Sequence, residues 1–186
     1  MFRIFKKRGG RLQIPGLGAV VKDERFGWYY SDPLPLALLN GQLCRIGLED
    51  YDEDEAPHQF HETIANLLTA PFSVLRAAEQ HVFQYYLDVN DNWDPSDAEY
   101  VSIASPSEVW QHIGLDAEPM VTRRAYGDRG IYVSLECSCA WEPEHGLQIV
   151  LKDGNVVNKV GPYDGHLTNS DAYADAAFEN VIYLAH

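Results

Sequence analysis

Two short stretches near the carboxyl end of the chain each place acidic residues and a histidine beside a glycine. Residues 141–147 read WEPEHGL, and residues 163–169 read YDGHLTN. A carboxylate could orient a histidine for acid–base chemistry, and the same groups could hold a metal ion. The alternative is structural, with acids and histidines satisfying backbone N–H groups in two turns whose glycines take positive φ angles. The candidate catalytic residues are Glu144, His145, Asp164 and His166.

The segment between the two stretches is typical of a β-hairpin. In LQIVLKDGNVVNKV, Asp153-Gly154 suits a two-residue type I′ turn, whose central residues need positive φ. Such a turn would pair residue 149 with residue 158 and residue 147 with residue 160. Both stretches would then lie at the open end of this hairpin. The sequence therefore predicts that three acids and two histidines converge there: Glu142, Glu144, His145, Asp164 and His166.

The strand before the hairpin carries two cysteines that could share a metal ion. From Ile131 onward, alternate residues are apolar, which is typical of an antiparallel strand with one face in the core. Cys137 and Cys139 fall on the apolar face of this strand. A buried free cysteine behaves as a small hydrophobic residue, and the chain has no second cysteine pair to complete a tetrahedral site. We therefore expect both cysteines to pack in the core.

A calcium loop is a second metal hypothesis. Oxygen-bearing side chains occupy positions 1, 3, 5, 7, 9 and 12 of residues 88–99, as in an EF-hand: Asp88, Asn90, Asn92, Asp94, Ser96 and Glu99. Trp93 stands where that loop needs glycine, and no helix clearly begins at Glu99. An acid-rich loop can reach this spacing by chance. The pair His58 and His61 could also chelate, but the HExxH order of a metalloprotease is absent.

The charge of the chain favours a basic protein partner. The net charge is -14, and the first 11 residues hold five basic residues and no acid, so the remainder carries 9 minus 28, or -19. Such a body repels nucleic acid and anionic membranes. The expected partner-binding surface is the run EDYDEDE, with the loop 88–99 as a second acidic patch. The acids of the run are Glu49, Asp50, Asp52, Glu53, Asp54 and Glu55. The alternative is that the acidity serves solubility and the run is a solvated loop.

The elements that would position these residues indicate an α+β fold. We expect an antiparallel sheet, with hairpin strands in the first third of the chain and a meander in the last third, flanked by two to four helices. An Asn40-Gly41 turn predicts the first hairpin, and Phe60, Ile64 and Leu67 form the apolar stripe of a helix. We expect a single domain over residues 1–186, and a division into 12–100 and 101–186 stays open.

The sequence predicts a cytoplasmic protein without a cofactor. No stretch approaches the ~20 apolar residues of a membrane span, and the amino terminus has no signal-peptide core. Three cysteines, an odd number, do not form a disulfide framework. Phosphate-binding, dinucleotide-binding and serine-hydrolase motifs are absent, so no cofactor is expected.

The stretch WEPEHGLQIVLKDGNVVNKVG, followed by YDGHLTN, resembles the DUF6985-like family of uncharacterised bacterial proteins. The resemblance extends over about residues 100–175. It implies no activity, and it assigns no role to Glu144, His145 or His166. By analogy alone, small acidic bacterial proteins of this kind look like immunity proteins, which neutralise toxins.

Three functional hypotheses follow. The first is a non-catalytic interaction protein, immunity-like in its specific form, that binds a basic, toxin-like protein. The second is a hydrolase-like or metal-dependent enzyme that uses the Glu/His/Asp/His cluster. The third is a structural or regulatory subunit without chemistry of its own.

Overall fold

One long, mostly antiparallel sheet runs through the computed structural model, which describes residues 10–97 and 100–185. The strands are β1 (Arg11–Ile14), β2 (Gly18–Lys22), β3 (Tyr29–Ser31), β4 (Leu34–Leu36), β5 (Gln42–Cys44), β6 (Gly47–Leu48), β7 (Ile113–Gly114), β8 (Met120–Arg123), β9 (Ile131–Cys139), β10 (Leu147–Lys152) and β11 (Val156–Gly161). Their order in the sheet is β1-β2-β3-β6-β8-β9-β10-β11, with β7 also beside β9, while β4 and β5 form a separate hairpin. Within this sheet, β6 and β8 are the parallel neighbours. The α+β class is confirmed.

The α-helices are α1 (Pro57–Thr69), α2 (Ser73–Arg76), α3 (Glu79–Asn90) and α4 (Asn169–Tyr173). Helices α1, α2 and α3 pack against one face of this sheet, whereas α4 belongs to the carboxyl-terminal segment. The predicted stripe on α1 is confirmed, because Phe60, Ile64 and Leu67 are fully buried. In α3, Val82 and Tyr86 enter the same core. Burying these apolar faces supplies the main driving force for docking the helices on the sheet.

The core face of β9 follows the predicted alternation. Val133, Leu135, Cys137 and Cys139 are all buried in the shared core. Burial raises the pKa of each of these two thiols to about 12, so both remain protonated at neutral pH. Their expected role in core packing is confirmed.

The hairpin of β10 and β11 has a different register from the predicted one. Asp153 and Gly154 take positive φ angles of 52° and 82°, as expected. The ladder nevertheless pairs Lys152 with Val156, and it shifts between Val150 and Leu151, so residue 149 faces residue 160 rather than residue 158. The predicted pairs 149–158 and 147–160 are wrong for two reasons. The connection holds three residues, 153–155, rather than two, and an irregularity of the β-bulge type adds one more residue to β11.

The first hairpin also differs from the two-residue turn predicted for it. Leu36 pairs with Gln42, so residues 37–41 form the connection. A short 3₁₀ helix occupies Ala37–Leu39, and Asn40 and Gly41 follow it with positive φ angles. The connection is longer than predicted because Leu38 and Leu39 turn into the core.

The carboxyl-terminal segment, residues 168–185, is fastened to the sheet by a buried arginine. The Arg124 guanidinium donates to Asp171 Oδ2 at 2.8 Å, to Glu179 Oε1 at 2.5 Å and to Ser170 Oγ at 2.9 Å. Beyond these contacts, the Val160 N–H on β11 donates to the carbonyl oxygen of residue 182 at 2.7 Å. We call the Arg124 contacts the arginine clasp. Among the described residues, no helix is both long and apolar enough to span a bilayer.

Candidate functional site

The face of the sheet opposite α1, α2 and α3 forms the floor of a groove of about 1220 Å³, here called the sheet groove. Its floor includes Ser134, Glu136 and Ser138, which alternate with the core residues of β9. Gln148 of β10 lies directly opposite Glu136. Loops that leave the ends of the strands form the walls. The two stretches 141–147 and 163–169 therefore contribute to the wall of a larger concave surface.

Carboxylates dominate the charge of the sheet groove. Seven acids line it: Glu49, Asp50, Asp116, Glu118, Glu136, Glu144 and Asp171. The two arginines in the lining are already neutralised, Arg123 by Asp54 and Arg124 by Asp171 and Glu179. Glu118 pairs with Arg45, which lies outside the lining.

Five of these acids have no cationic partner. Within residues 10–97 and 100–185, no lysine or arginine lies within 4.0 Å of these carboxylates: Glu49, Asp50, Asp116, Glu136 and Glu144. A cleft lined by charge of one sign concentrates the field between its walls. The sheet groove is therefore a region of strong negative potential.

Aromatic rings share the groove with these acids. Trp28, Tyr30, Tyr126 and Tyr163 line it, and Tyr163 is 43% exposed. Burial, followed by the charges of Glu136 and Glu49, raises the pKa of the Tyr163 hydroxyl. Exposed aromatic rings are enriched at protein interfaces, and their faces attract cations.

The turn in residues 141–147 has a clear structural role. One carboxylate oxygen of Glu142 accepts the backbone N–H groups of Glu144 at 3.2 Å and His145 at 3.3 Å. Gly146 has a φ of 62°, and a Cβ there would lie 2.6 Å from the carbonyl oxygen of Cys137. Glycine is therefore required at residue 146 for both its conformation and its close approach to β9.

The turn that follows β11 repeats this arrangement with Asp164. Its Oδ1 accepts the N–H of His166 at 2.8 Å and the ammonium of Lys159 at 2.5 Å. Burial lowers the pKa of Lys159, although Asp164 acts in the opposite direction. The Tyr163 N–H donates to the His145 carbonyl at 3.2 Å, which joins the two stretches.

Each of the two candidate histidines lies beside a carboxylate, although the partner of His145 is Glu142 rather than the candidate Glu144. His145 Nδ1 lies 3.4 Å from Glu142 Oε1, and His166 Nδ1 lies 3.5 Å from Asp164 Oδ1. Glu144, His145 and His166 line the sheet groove, whereas Asp164 is bonded to the buried Lys159. The ligand atoms of Glu142, Glu144 and His145 all lie within 4.8 Å of one another. Of the described residues, only these three form such a group of potential metal ligands.

The acidic run 49–55 is divided among different environments. Glu49 and Asp50 line the sheet groove, and Glu53 and Glu55 are exposed outside its lining. Asp52 accepts from Lys22 at 2.8 Å and from the Tyr29 hydroxyl at 3.1 Å. Asp54 forms a two-oxygen ion pair with Arg123. Asp52 and Asp54 therefore stabilise the fold, whereas Glu49 and Asp50 belong to the candidate site.

The oxygen side chains of the calcium-loop candidate make internal hydrogen bonds. Asp88 accepts from Gln84 and from Tyr183. Asn92 donates to the Asp88 carbonyl, and the Asp94 carboxylate accepts from Ser96. Asn90 is buried and bonds to Tyr86 and to the N–H of residue 101. Glu99 lies outside the described residues, as do the basic residues Arg3, Lys6, Lys7 and Arg8.

Sequence reasoning missed the groove floor. Glu136 is the exposed acid on the outward-facing side of β9, and its position between Leu135 and Cys137 was the available signal. Asp116 and Glu118 precede β8 and reach the groove only because β7 and β8 flank β9 at different points. Tyr163 lay in a recognised turn, but the sequence did not show that its side chain faces these acids.

Comparison with known proteins gives one assignment. The family model described as a domain of unknown function, DUF6985, matches residues 16–167. This range includes the turn at 141–147 and most of the groove lining, and it ends just before the carboxyl-terminal segment. The comparisons with curated proteins and with solved structures found no match.

Proposed function

Because the chain belongs to the DUF6985 family, which has no established function, we propose a function from its own surface. The protein is a non-catalytic interaction protein that binds a basic protein partner in the sheet groove. A small basic toxin is one such partner, and an immunity-like role is the specific form of this proposal. The buried free thiols of Cys44, Cys137 and Cys139 suit a reducing compartment, so the proposed location is the cytoplasm.

One observation carries this proposal: the sheet groove holds five carboxylates without a cationic partner, and its arginines are already neutralised. Acids that serve solubility need only be dispersed over the surface. Here they line a concavity together with four aromatic residues. A partner that presents lysine or arginine would gain ion pairs without competing against cations of the groove itself. Complementary charge of this kind accelerates association and selects the partner.

Binding to a labelled nine-residue peptide of alternating arginine and lysine tests the proposal by fluorescence anisotropy. We expect the affinity to fall as NaCl rises from about 50 to 300 mM, because exposed charges are screened over about 10 Å at 0.1 M salt. The double variant Asp116→Asn/Glu144→Gln should bind about 5- to 30-fold more weakly, since two ion pairs worth about 0.5–1 kcal/mol each are removed.

The control for this experiment is Glu53→Gln/Glu55→Gln, which removes the same charge from exposed residues outside the groove lining. Its affinity should change by less than about twofold. Equal weakening in both double variants would show attraction to net charge alone and would contradict the role of the groove.

A metal-dependent activity is the second candidate, and the group of Glu142, Glu144 and His145 favours it. Two carboxylates and an imidazole suit zinc, and a catalytic zinc site keeps one position open for water. Under this function, calorimetry with zinc chloride should show one site, and His145→Ala should weaken binding at least tenfold. His58→Ala, which alters an exposed histidine on α1, serves as the control. The absence of zinc binding to the unaltered protein would dismiss this candidate.

A further inference from the structure

We propose that an arginine side chain of the basic partner binds between the Glu136 carboxylate and the Tyr163 ring. This inference rests on the proposed function, because it names the chemical group by which the partner is recognised in the sheet groove. Four observations support it. An arginine of the chain is already bound in this way, the Glu136 carboxylate has no hydrogen-bond donor among the described residues, the sheet beside Glu136 carries a glycine, and the surrounding side chains are acidic.

The internal example lies at the edge of the groove. Arg45 donates from Nε and Nη2 to the two carboxylate oxygens of Glu118 at 2.7 and 2.9 Å. Its guanidinium carbon also lies 4.8 Å from the centroid of the Tyr30 ring. Tyr30 and Glu118 both line the groove, so one ring–carboxylate pair of this surface already holds a guanidinium. A planar guanidinium can satisfy a carboxylate with two hydrogen bonds while its face packs on a ring.

Glu136 and Tyr163 form a second pair of the same types on the floor and wall of the groove. Glu136 is exposed in the middle of β9, and among the described residues no donor is within hydrogen-bond distance of its carboxylate. The Tyr163 side chain is 43% exposed. The pair therefore has both recognition groups accessible from the groove.

The sheet leaves room between these two groups. Glu136 faces Gln148 across one strand pair, and Gln148 faces Gly161 across the next. The Gln148 amide is held in place, since it donates to Ser134 and accepts from Lys159. Nothing lies within 4 Å of the position that a Cβ of Gly161 would take. Two strand spacings of about 4.8 Å separate the backbones at residues 136 and 161, and the buried Gln148 lies between them, so an inserted side chain would rest on the Gln148 amide.

The surrounding charges favour a cation at this point. Glu49, Asp50 and Glu144 line the same groove. Arg123 and Arg124 do not oppose the incoming charge, because both are held by carboxylates. An arginine should be preferred to a lysine, because an ammonium makes neither the two parallel hydrogen bonds nor the planar stack.

Two labelled peptides of equal length and charge test the inference, one with arginine and one with lysine at every basic position. We expect the unaltered protein to bind the arginine peptide at least fivefold more tightly. Glu136→Gln should weaken the arginine peptide about tenfold and abolish the preference. Tyr163→Leu should reduce the preference, whereas Tyr163→Phe should retain it because the ring remains. Glu62→Gln, which alters an exposed acid on α1, is the matched control.

Each outcome has a defined meaning. If Glu136→Gln leaves the preference intact while Asp116→Asn/Glu144→Gln still weakens binding, the arginine subsite is wrong and the proposed function stands. If the unaltered protein binds neither peptide, the proposed function fails and this inference fails with it. If peptides bind only after Arg3, Lys6, Lys7 and Arg8 are replaced by glutamine, the chain's own amino-terminal residues occupy the groove, which overturns a separate partner.

Discussion

Replacing Arg124 with methionine is expected to lower the free energy of unfolding by about 2–4 kcal/mol, because it leaves a partly buried carboxylate pair without its cation. The side chain of Arg124 is only 3% exposed, and Asp171 and Glu179 converge on it. Without the guanidinium, these two acids repel each other and the Ser170 hydroxyl loses a donor. Urea denaturation followed by tryptophan fluorescence measures the loss.

The control for the arginine clasp is Arg76→Met, which removes an arginine whose side chain is 59% exposed and paired with Glu79. An exposed pair of this kind contributes about 0–1 kcal/mol. Hydrogen exchange should also quicken through residues 168–185 in Arg124→Met. If Arg124→Met loses no more stability than Arg76→Met and hydrogen exchange in residues 168–185 is unchanged, the arginine clasp does not hold the carboxyl-terminal segment.

Gly154→Ala is the second substitution with a large expected effect, and it should lower the free energy of unfolding by about 2–4 kcal/mol. The turn at the tip of the β10–β11 hairpin packs directly on α1, and the Asn66 amide donates to the Asp153 carbonyl at 2.9 Å. A Cβ at Gly154 would lie 2.4 Å from the Thr63 carbonyl oxygen, and its φ of 82° is unfavourable for alanine. The hairpin must therefore move away from the helix, which thermal unfolding will register.

Gly41→Ala separates the effect of the positive φ angle from the effect of the close contact with α1. Gly41 has nearly the same φ, 81°, but nothing lies within 4 Å of the position of its Cβ. Its replacement should cost only the backbone strain, about 1 kcal/mol. Equal losses at the two positions would mean that the contact with α1 contributes nothing.

The parts of the fold that follow from local periodicity could be predicted. The alternation of residues 131–139 and the stripe of Phe60, Ile64 and Leu67 reflect burial on one side of an element, which the sequence records directly. The positive φ angles at Asp153 and Gly154 follow from residue type in the same way.

The register of the last hairpin could not be predicted, because turn type alone does not reveal a ladder irregularity. The sheet groove could not be predicted either, since the residues that line it come from strands far apart in the chain. In the acidic run, the separate roles of Asp52 and Asp54 depend on Lys22 and Arg123, which lie 30 and 69 residues away. Sequence gives the charge of the run but not the partner of each acid.

The parallel pairing of β6 with β8 has a consequence for the order of folding. Strands β8 to β11 follow one another along the chain and can pair locally, whereas β6 meets β8 only after about 70 residues of chain have been closed into a loop. Long-range pairing is slow to form, so we expect the strands before residue 50 to join the sheet late. Tyr30 and Glu49 line the groove from that part of the chain. The sheet groove is therefore complete only when these early strands of the chain have joined the sheet.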